Sequence, residues 1–76
     1  MKELERLNAE VIAAHERKDN QALVDIYFAY GKEELEKGLE LEAAFLLTQA
    51  YVYALEAGLK EADVIHEILR SMNREE

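Results

Sequence analysis

The side chains that could do chemistry in this sequence are few and widely spaced. It contains two histidines, His15 and His66, and no cysteine. A zinc site needs three or four converging ligands. A di-metal helix bundle needs repeated Glu-x-x-His pairs. The residue three positions before His15 is Ile12, and the residue three positions before His66 is Asp63, so the sequence has no such pair. We therefore predict no metal site, and we expect each histidine ring to be packed by a neighbour and hydrogen-bonded at its rim.

The hydroxyl side chains do not indicate a nucleophile. Ser71 is the only serine, and it follows His66 by five residues, which is too far round a helix for a base to reach it reliably. Thr48 is expected to bond to a backbone carbonyl of its own helix. The three glycines are isolated, so the sequence has no phosphate-binding loop. We predict that the protein is not an enzyme and uses no cofactor.

Length and charge exclude several classes of partner. Seventy-six residues form one small domain, residues 1–76. Seventeen acidic against nine basic residues give a net charge of −8, which argues against nucleic acid and against an acidic membrane surface. The start of the sequence has no signal-peptide run, and the most apolar stretch, residues 43–57, is shorter than the roughly 20 residues that cross a bilayer. We expect a cytoplasmic protein.

The elements that must position these residues are helices. The chain has no proline, is rich in strong helix formers, and has no segment that alternates apolar and polar residues over the length of a strand. Asp19 or Asn20 is a suitable N-cap, while Gly38 and Gly58 suit helix ends. These breaks predict an all-α fold of four helices, over residues 2–17, 21–37, 39–57 and 60–72. Because the connections are short, consecutive helices are predicted to pack antiparallel.

Apolar spacing predicts which face of each outer helix is buried. The first helix has one stripe, formed by Leu4, Leu7, Val11 and Ala14. The inward residues predicted for the second helix are Leu23, Tyr27, Tyr30 and Leu35. The stripe of the fourth helix consists of Ala62, Ile65, Ile68, Leu69 and Met72, and residues 73–76 are expected to fray.

The third helix differs because its apolar residues go nearly all the way round. Such a helix is covered on more than one side, so we predict that it is the central element. All six aromatic residues lie between positions 27 and 53, namely Tyr27, Phe28, Tyr30, Phe45, Tyr51 and Tyr53. Most of them should fill the core, but this is more apolar surface than so small a core can cover. The surplus predicts exposed apolar contacts and a homo-oligomer.

The middle of the chain resembles a tetratricopeptide repeat, a helix–turn–helix unit of 34 residues. The resemblance covers residues 24–57, in which Glu34 and Leu55 stand where the motif has tyrosine and proline. The positions that match the motif are Tyr27, Gly31, Gly38, Ala43, Leu47 and Ala50. It implies a helical hairpin whose small residues allow close helix packing, with the outer helices as caps. An ordinary four-helix bundle is the alternative.

Two further resemblances bear on the origin of the chain. The segment FLLTQAYVYALEAG is similar to small uncharacterised helical proteins of bacteria that carry such hairpins, and this similarity implies no activity. The absence of proline, cysteine and tryptophan, together with blocks such as KEELEKG, is equally typical of a designed or resurfaced sequence without a natural function.

The function that the sequence favours is binding to a protein or peptide, or self-association as a helical scaffold. In the repeat family the first helix of each hairpin lines the concave face, which implies a partner-binding surface at Asp25, Phe28, Lys32, Leu35 and Glu36. An apolar ring and branch flanked by both charge signs would anchor and orient a peptide. Alternatively, Phe28 and Leu35 face the first helix and are buried. A different class is an acidic inhibitor that mimics nucleic acid in a basic site.

Overall fold

A computed structural model of the chain describes residues 2–72 and the side chains of residues 5–72. The helices are α1, Lys2–Arg17; α2, Asn20–Glu36; α3, Glu40–Ala57; and α4, Glu61–Ser71. Within the described range the remaining residues form turns and short connections, and there is no strand. The all-α prediction is confirmed, and every bound lies within one residue of its predicted position. Residues 73–76, which were expected to fray, lie outside the described residues.

Local hydrogen bonds explain where the helices begin and end. The Asp19 carboxylate caps α2 by accepting a hydrogen bond of 3.0 Å from the Ala22 backbone N–H. Gly38 follows α2 with a φ of 81°, and Gly58 ends α3 with a φ of 67°. Both values lie in the left-handed region, which glycine enters without a steric penalty. The predicted cap and both predicted helix ends are confirmed.

The core lies between α2, α3 and α4. Helices α2 and α3 form the most extensive pairing. The predicted stripe of α4 faces them, with Ile65 fully buried. On α1, Leu7 and Ala14 are buried, as predicted, whereas Leu4 lies outside the described side chains. The residues of the main cluster are Val24, Leu47, Ala50, Ala54, Ala62, Ile65 and Leu69.

Gly31 marks a close approach of α2 to α3. It is buried in the interior of α2, and a Cβ placed on it would lie 2.8 Å from Leu47 Cγ and 2.9 Å from Leu47 Cδ2. These separations are shorter than the 3.5–4.0 Å at which carbon atoms attract one another. The close approach predicted at Gly31 is therefore present, with Leu47 as the neighbour that fills the space.

Candidate interaction surfaces

One face of α3 exposes a line of large apolar side chains, which we call the outer stripe. It consists of Leu41, Phe45, Val52 and Leu55, at steps of four, seven and three residues. Leu41 is 69% exposed, Phe45 62%, Val52 40% and Leu55 55%. At 100° per residue these positions fall within about 80° of arc on the helix. Helix α3 is therefore apolar nearly all round, yet only part of its apolar surface is covered by its own chain.

The buried face of α3 lies directly opposite the outer stripe. Its members are Ala43, Leu46, Leu47, Ala50 and Ala54. Hydrophobic periodicity cannot separate the two faces, because both are apolar. Residue size could have separated them, since alanines mark the face that approaches its neighbours closely and the larger side chains point away. The predicted exposure of surplus apolar surface on the third helix is present in the structure, but the residues that form it were not identified from the sequence.

An open cleft of about 790 Å³ begins at the N-terminal half of the outer stripe. Its apolar lining comes from three helices, and Leu41 and Phe45 belong to both the cleft and the outer stripe. Glu34 and Lys37 are among its polar lining residues and form an ion pair of 3.3 Å. The principal apolar residues of the lining are Leu7, Tyr27, Tyr30, Leu41, Phe45 and Leu46. The cleft extends the exposed apolar surface from α3 towards α1 and α2.

Aromatic contacts connect the cleft to α1. The rings of Tyr27 and Tyr53 stack with their centroids 6.0 Å apart. The Tyr53 hydroxyl shares a hydrogen bond of 3.2 Å with His15 Nε2, and the two rings meet edge to face. Burial and, to a smaller degree, the neighbouring Tyr53 raise the pKa of the Tyr27 hydroxyl above its ordinary value near 10. The Tyr27 phenol thus keeps its proton into the alkaline range.

We expect Tyr27 to ionise late in an alkaline titration followed by the ultraviolet absorbance of phenolate. Because its pKa is raised in the folded state, its contribution to stability is complete below the unfolded pKa of about 10 and is lost as the pH rises through the folded value. Tyr27→Phe should remove the late component. Tyr30→Phe, a control in the same cleft, should leave it in place. A late component that survives in Tyr27→Phe would contradict this assignment.

The five residues predicted to bind a partner share one face of α2, but they differ in exposure. Asp25, Lys32 and Glu36 are exposed, whereas Phe28 and Leu35 are half-buried. Phe28 packs against the core cluster, and the Lys32 ammonium lies 4.6 Å from its ring centroid. This face therefore offers a partly covered ring between charged groups. Its role in binding stays a prediction.

A polar bridge joins this face of α2 to α4. The Gln21 side-chain amide donates to Asp25 Oδ1 at 3.0 Å and to Glu61 Oε2 at 2.9 Å. The Gln21 amide thus links the Asp25 carboxylate of α2 to the Glu61 carboxylate of α4. The face is consequently acidic where α2 and α4 meet and basic only at Lys32.

The remaining sequence candidates make contacts that account for their positions in the fold. Thr48 donates to the Ala44 carbonyl at 2.7 Å, as predicted, and Ser71 donates to the Ile68 carbonyl at 2.7 Å. The ring of His66 stacks on Tyr51, with centroids 5.5 Å apart. Among the described residues, no three His, Asp or Glu side chains are grouped so that they could hold a metal ion. Over the same residues, no helix has the length and apolar character required to cross a membrane.

Comparison with family models, curated proteins and solved structures finds no match to this chain.

Proposed function

We propose that this chain is a non-catalytic protein–protein interaction module that self-associates, and that the outer stripe of α3 is its contact surface. The observation that supports the proposal is the exposure of Leu41, Phe45, Val52 and Leu55 in one line. A surface helix of a globular protein normally presents polar residues on the face opposite its core. A contiguous exposed apolar patch instead marks a site of contact.

Energetics favour covering this face. Completely burying one large apolar side chain contributes about 1.5–3 kcal/mol relative to leaving it exposed. Four such side chains lie within one stripe, and Phe45 also borders the cleft. Association must offset the loss of translational and rotational freedom, so several anchors on one rigid helix are more effective than scattered ones. The stripe supplies these anchors on the helix that forms the centre of the fold.

Self-association is tested by measuring the solution mass over a wide range of dilution. We expect the wild-type chain to exceed its monomer mass of 8.8 kDa at high concentration. Glutamine at all four stripe positions keeps helix propensity and net charge, and should return the mass to 8.8 kDa. Ile12→Gln combined with Val64→Gln is the matched control, because both residues are exposed apolar side chains on other helices. This control should associate as the wild type does.

Thermal melting of the same variants shows whether the stripe serves the fold instead. Exposed substitutions usually change stability by less than about 0.5 kcal/mol each. The monomeric stripe variant should therefore remain folded and cooperative. A wild-type chain that stays at 8.8 kDa at every concentration, or a stripe variant that unfolds, would contradict the proposal.

A second candidate is an acidic inhibitor that occupies a basic site on another protein. The observation in its favour is that α3 carries three acids, Glu40, Glu42 and Glu56, and no basic residue. Such binding would weaken steeply as salt rises, whereas contact through an apolar stripe would respond little. Measuring how the strength of each association changes with salt concentration separates the two functions.

A further inference from the structure

Carboxylates border the outer stripe on both sides. At 100° per residue, Glu56 and Glu42 lie about 20° and 60° beyond Phe45, and Glu40 lies about 60° beyond Leu55 on the opposite side. All three acids are exposed, and α3 has no basic residue. Among the described residues, none forms an ion pair with these carboxylates. Their charge is therefore available to a partner that covers the stripe.

The spacing of the outer stripe indicates that this partner is a helix. With the exposed Thr48 included, the stripe advances from Leu41 to Leu55 in steps of four, three, four and three residues. This is the heptad spacing by which one helix packs along another. The seam extends over ~21 Å of the helix axis. The cleft beside Phe45 adds a depression at one end, which receives a large side chain of a helix lying in this groove.

We infer that the outer stripe and the cleft bind a basic amphipathic helix of another protein. Its apolar residues follow the stripe, and its Lys or Arg side chains lie beside Glu42 and Glu56. Charges that flank a helix–helix seam select the partner, and opposite charges favour association. A second copy would instead bring the same acids, and a net charge of −8, against each other. The inference rests on the proposed function in one respect, namely that the outer stripe is a contact surface.

Binding of the basic helix and self-association use the same residues and therefore exclude each other. A helix that binds only the monomer withdraws it from the self-association equilibrium by mass action. Adding the helix should thus lower the solution mass towards that of one chain with one bound helix. Raising the salt should weaken binding of the helix, because salt screens the attraction between opposite charges.

Titration with synthetic peptides, followed by calorimetry, tests which property of the partner is recognised. The probe is a peptide of about 18 residues, long enough to cover the stripe, with leucine on one helical face and lysine and alanine elsewhere. One comparison peptide has glutamine in place of every lysine. The other has the composition of the probe in an order that no longer places leucine on one face. The probe should bind at least about tenfold more tightly than either comparison peptide.

Variants of the chain test where the probe binds. Glu42→Lys combined with Glu56→Lys should weaken binding of the probe by at least about tenfold, because like charges would then meet. Glu42→Gln combined with Glu56→Gln should give a smaller loss in the same direction. The control is Glu33→Lys combined with Glu67→Lys, which changes the net charge equally at exposed positions of α2 and α4. It should bind the probe nearly as the wild type does.

The apolar contribution is tested with the variant that carries glutamine at all four stripe positions. It should lose the probe, whereas Ile12→Gln combined with Val64→Gln should retain it, since these two exposed residues lie on other helices. Circular dichroism of each variant shows whether its helices are intact. A folded stripe variant that binds the probe as the wild type does would overturn the inference.

Each remaining outcome decides a stated step. A glutamine peptide that binds as tightly as the probe would overturn the role of charge. Equal binding of the reordered peptide would overturn recognition of an amphipathic helix and favour a purely electrostatic contact. A chain that self-associates but ignores the probe, or binds it without a fall in mass, would overturn the inference and leave the proposed self-association intact. A wild-type mass of 8.8 kDa at every concentration would overturn self-association alone, since probe binding is measured separately.

Discussion

Replacing Gly31 with leucine is expected to lower the free energy of unfolding by about 1–3 kcal/mol. Even a Cβ at this position would meet the Leu47 side chain at 2.8 Å, and leucine adds three more carbons in a buried site. For a domain of this size, 1 kcal/mol shifts the melting temperature by roughly 4–8 °C. Since a chain of 76 residues has a total stability of about 4–11 kcal/mol, the loss is a large fraction of the whole.

Thermal or denaturant unfolding measures this effect. Ala29→Leu is the matched control, because residue 29 lies two positions earlier on α2 and is exposed. It introduces the same side chain without a neighbour to displace, so its melting temperature should stay close to that of the wild type. Equal melting temperatures for Gly31→Leu and Ala29→Leu would show that α2 and α3 do not meet at Gly31.

The features that could be predicted from sequence are those determined within a few residues. The Asp19 cap joins two residues that are three positions apart. Gly38 and Gly58 adopt the left-handed conformation at the helix ends directly before them. The faces of α1 and α4 were also predictable, because each helix has a single apolar stripe and therefore one way to be buried. Gly31 was identified through its position in the tetratricopeptide motif that the sequence resembles, and the structure shows Leu47 as its neighbour.

The candidate contact surface could not be located in this way. Because α3 is apolar nearly all round, periodicity gives no direction for its buried face, and the positions of α2 and α4 decide which residues remain exposed. Phe28 was expected either to be enclosed or to be an open anchor, but it is half-buried with Lys32 over its ring. The cleft beside Phe45 depends on how α1 lies against the α2–α3 pair. The orientation of α1 against this pair arises from packing between residues that are far apart in the sequence. No local sequence pattern determines it.

The effect of Gly31→Ala on stability should depend on Leu47, because the Leu47 side chain fills the space at Gly31. Shortening Leu47 to alanine should make Gly31→Ala more favourable. Leu47→Ala alone is expected to cost about 2–5 kcal/mol, because Leu47 is fully buried in the core cluster. In the wild-type background, Gly31→Ala forces its new Cβ against Leu47, which offsets the roughly 1 kcal/mol that alanine gains over glycine inside a helix. In the Leu47→Ala background the two clashing carbons are gone, so Gly31→Ala should stabilise the protein by up to about 1 kcal/mol.

A double-mutant cycle of these variants, measured by denaturant unfolding, gives the coupling between the two positions. Residues in direct contact typically show coupling energies of about 0.5–3 kcal/mol, whereas independent sites add within about 0.5 kcal/mol. Ala50→Gly is the control background, because it also shortens a buried residue of α3 but leaves Leu47 in place. In that background Gly31→Ala should behave as it does in the wild type. An equal effect of Gly31→Ala in the wild-type, Leu47→Ala and Ala50→Gly backgrounds would contradict this prediction. It would show that the Leu47 side chain does not pack against the backbone at Gly31.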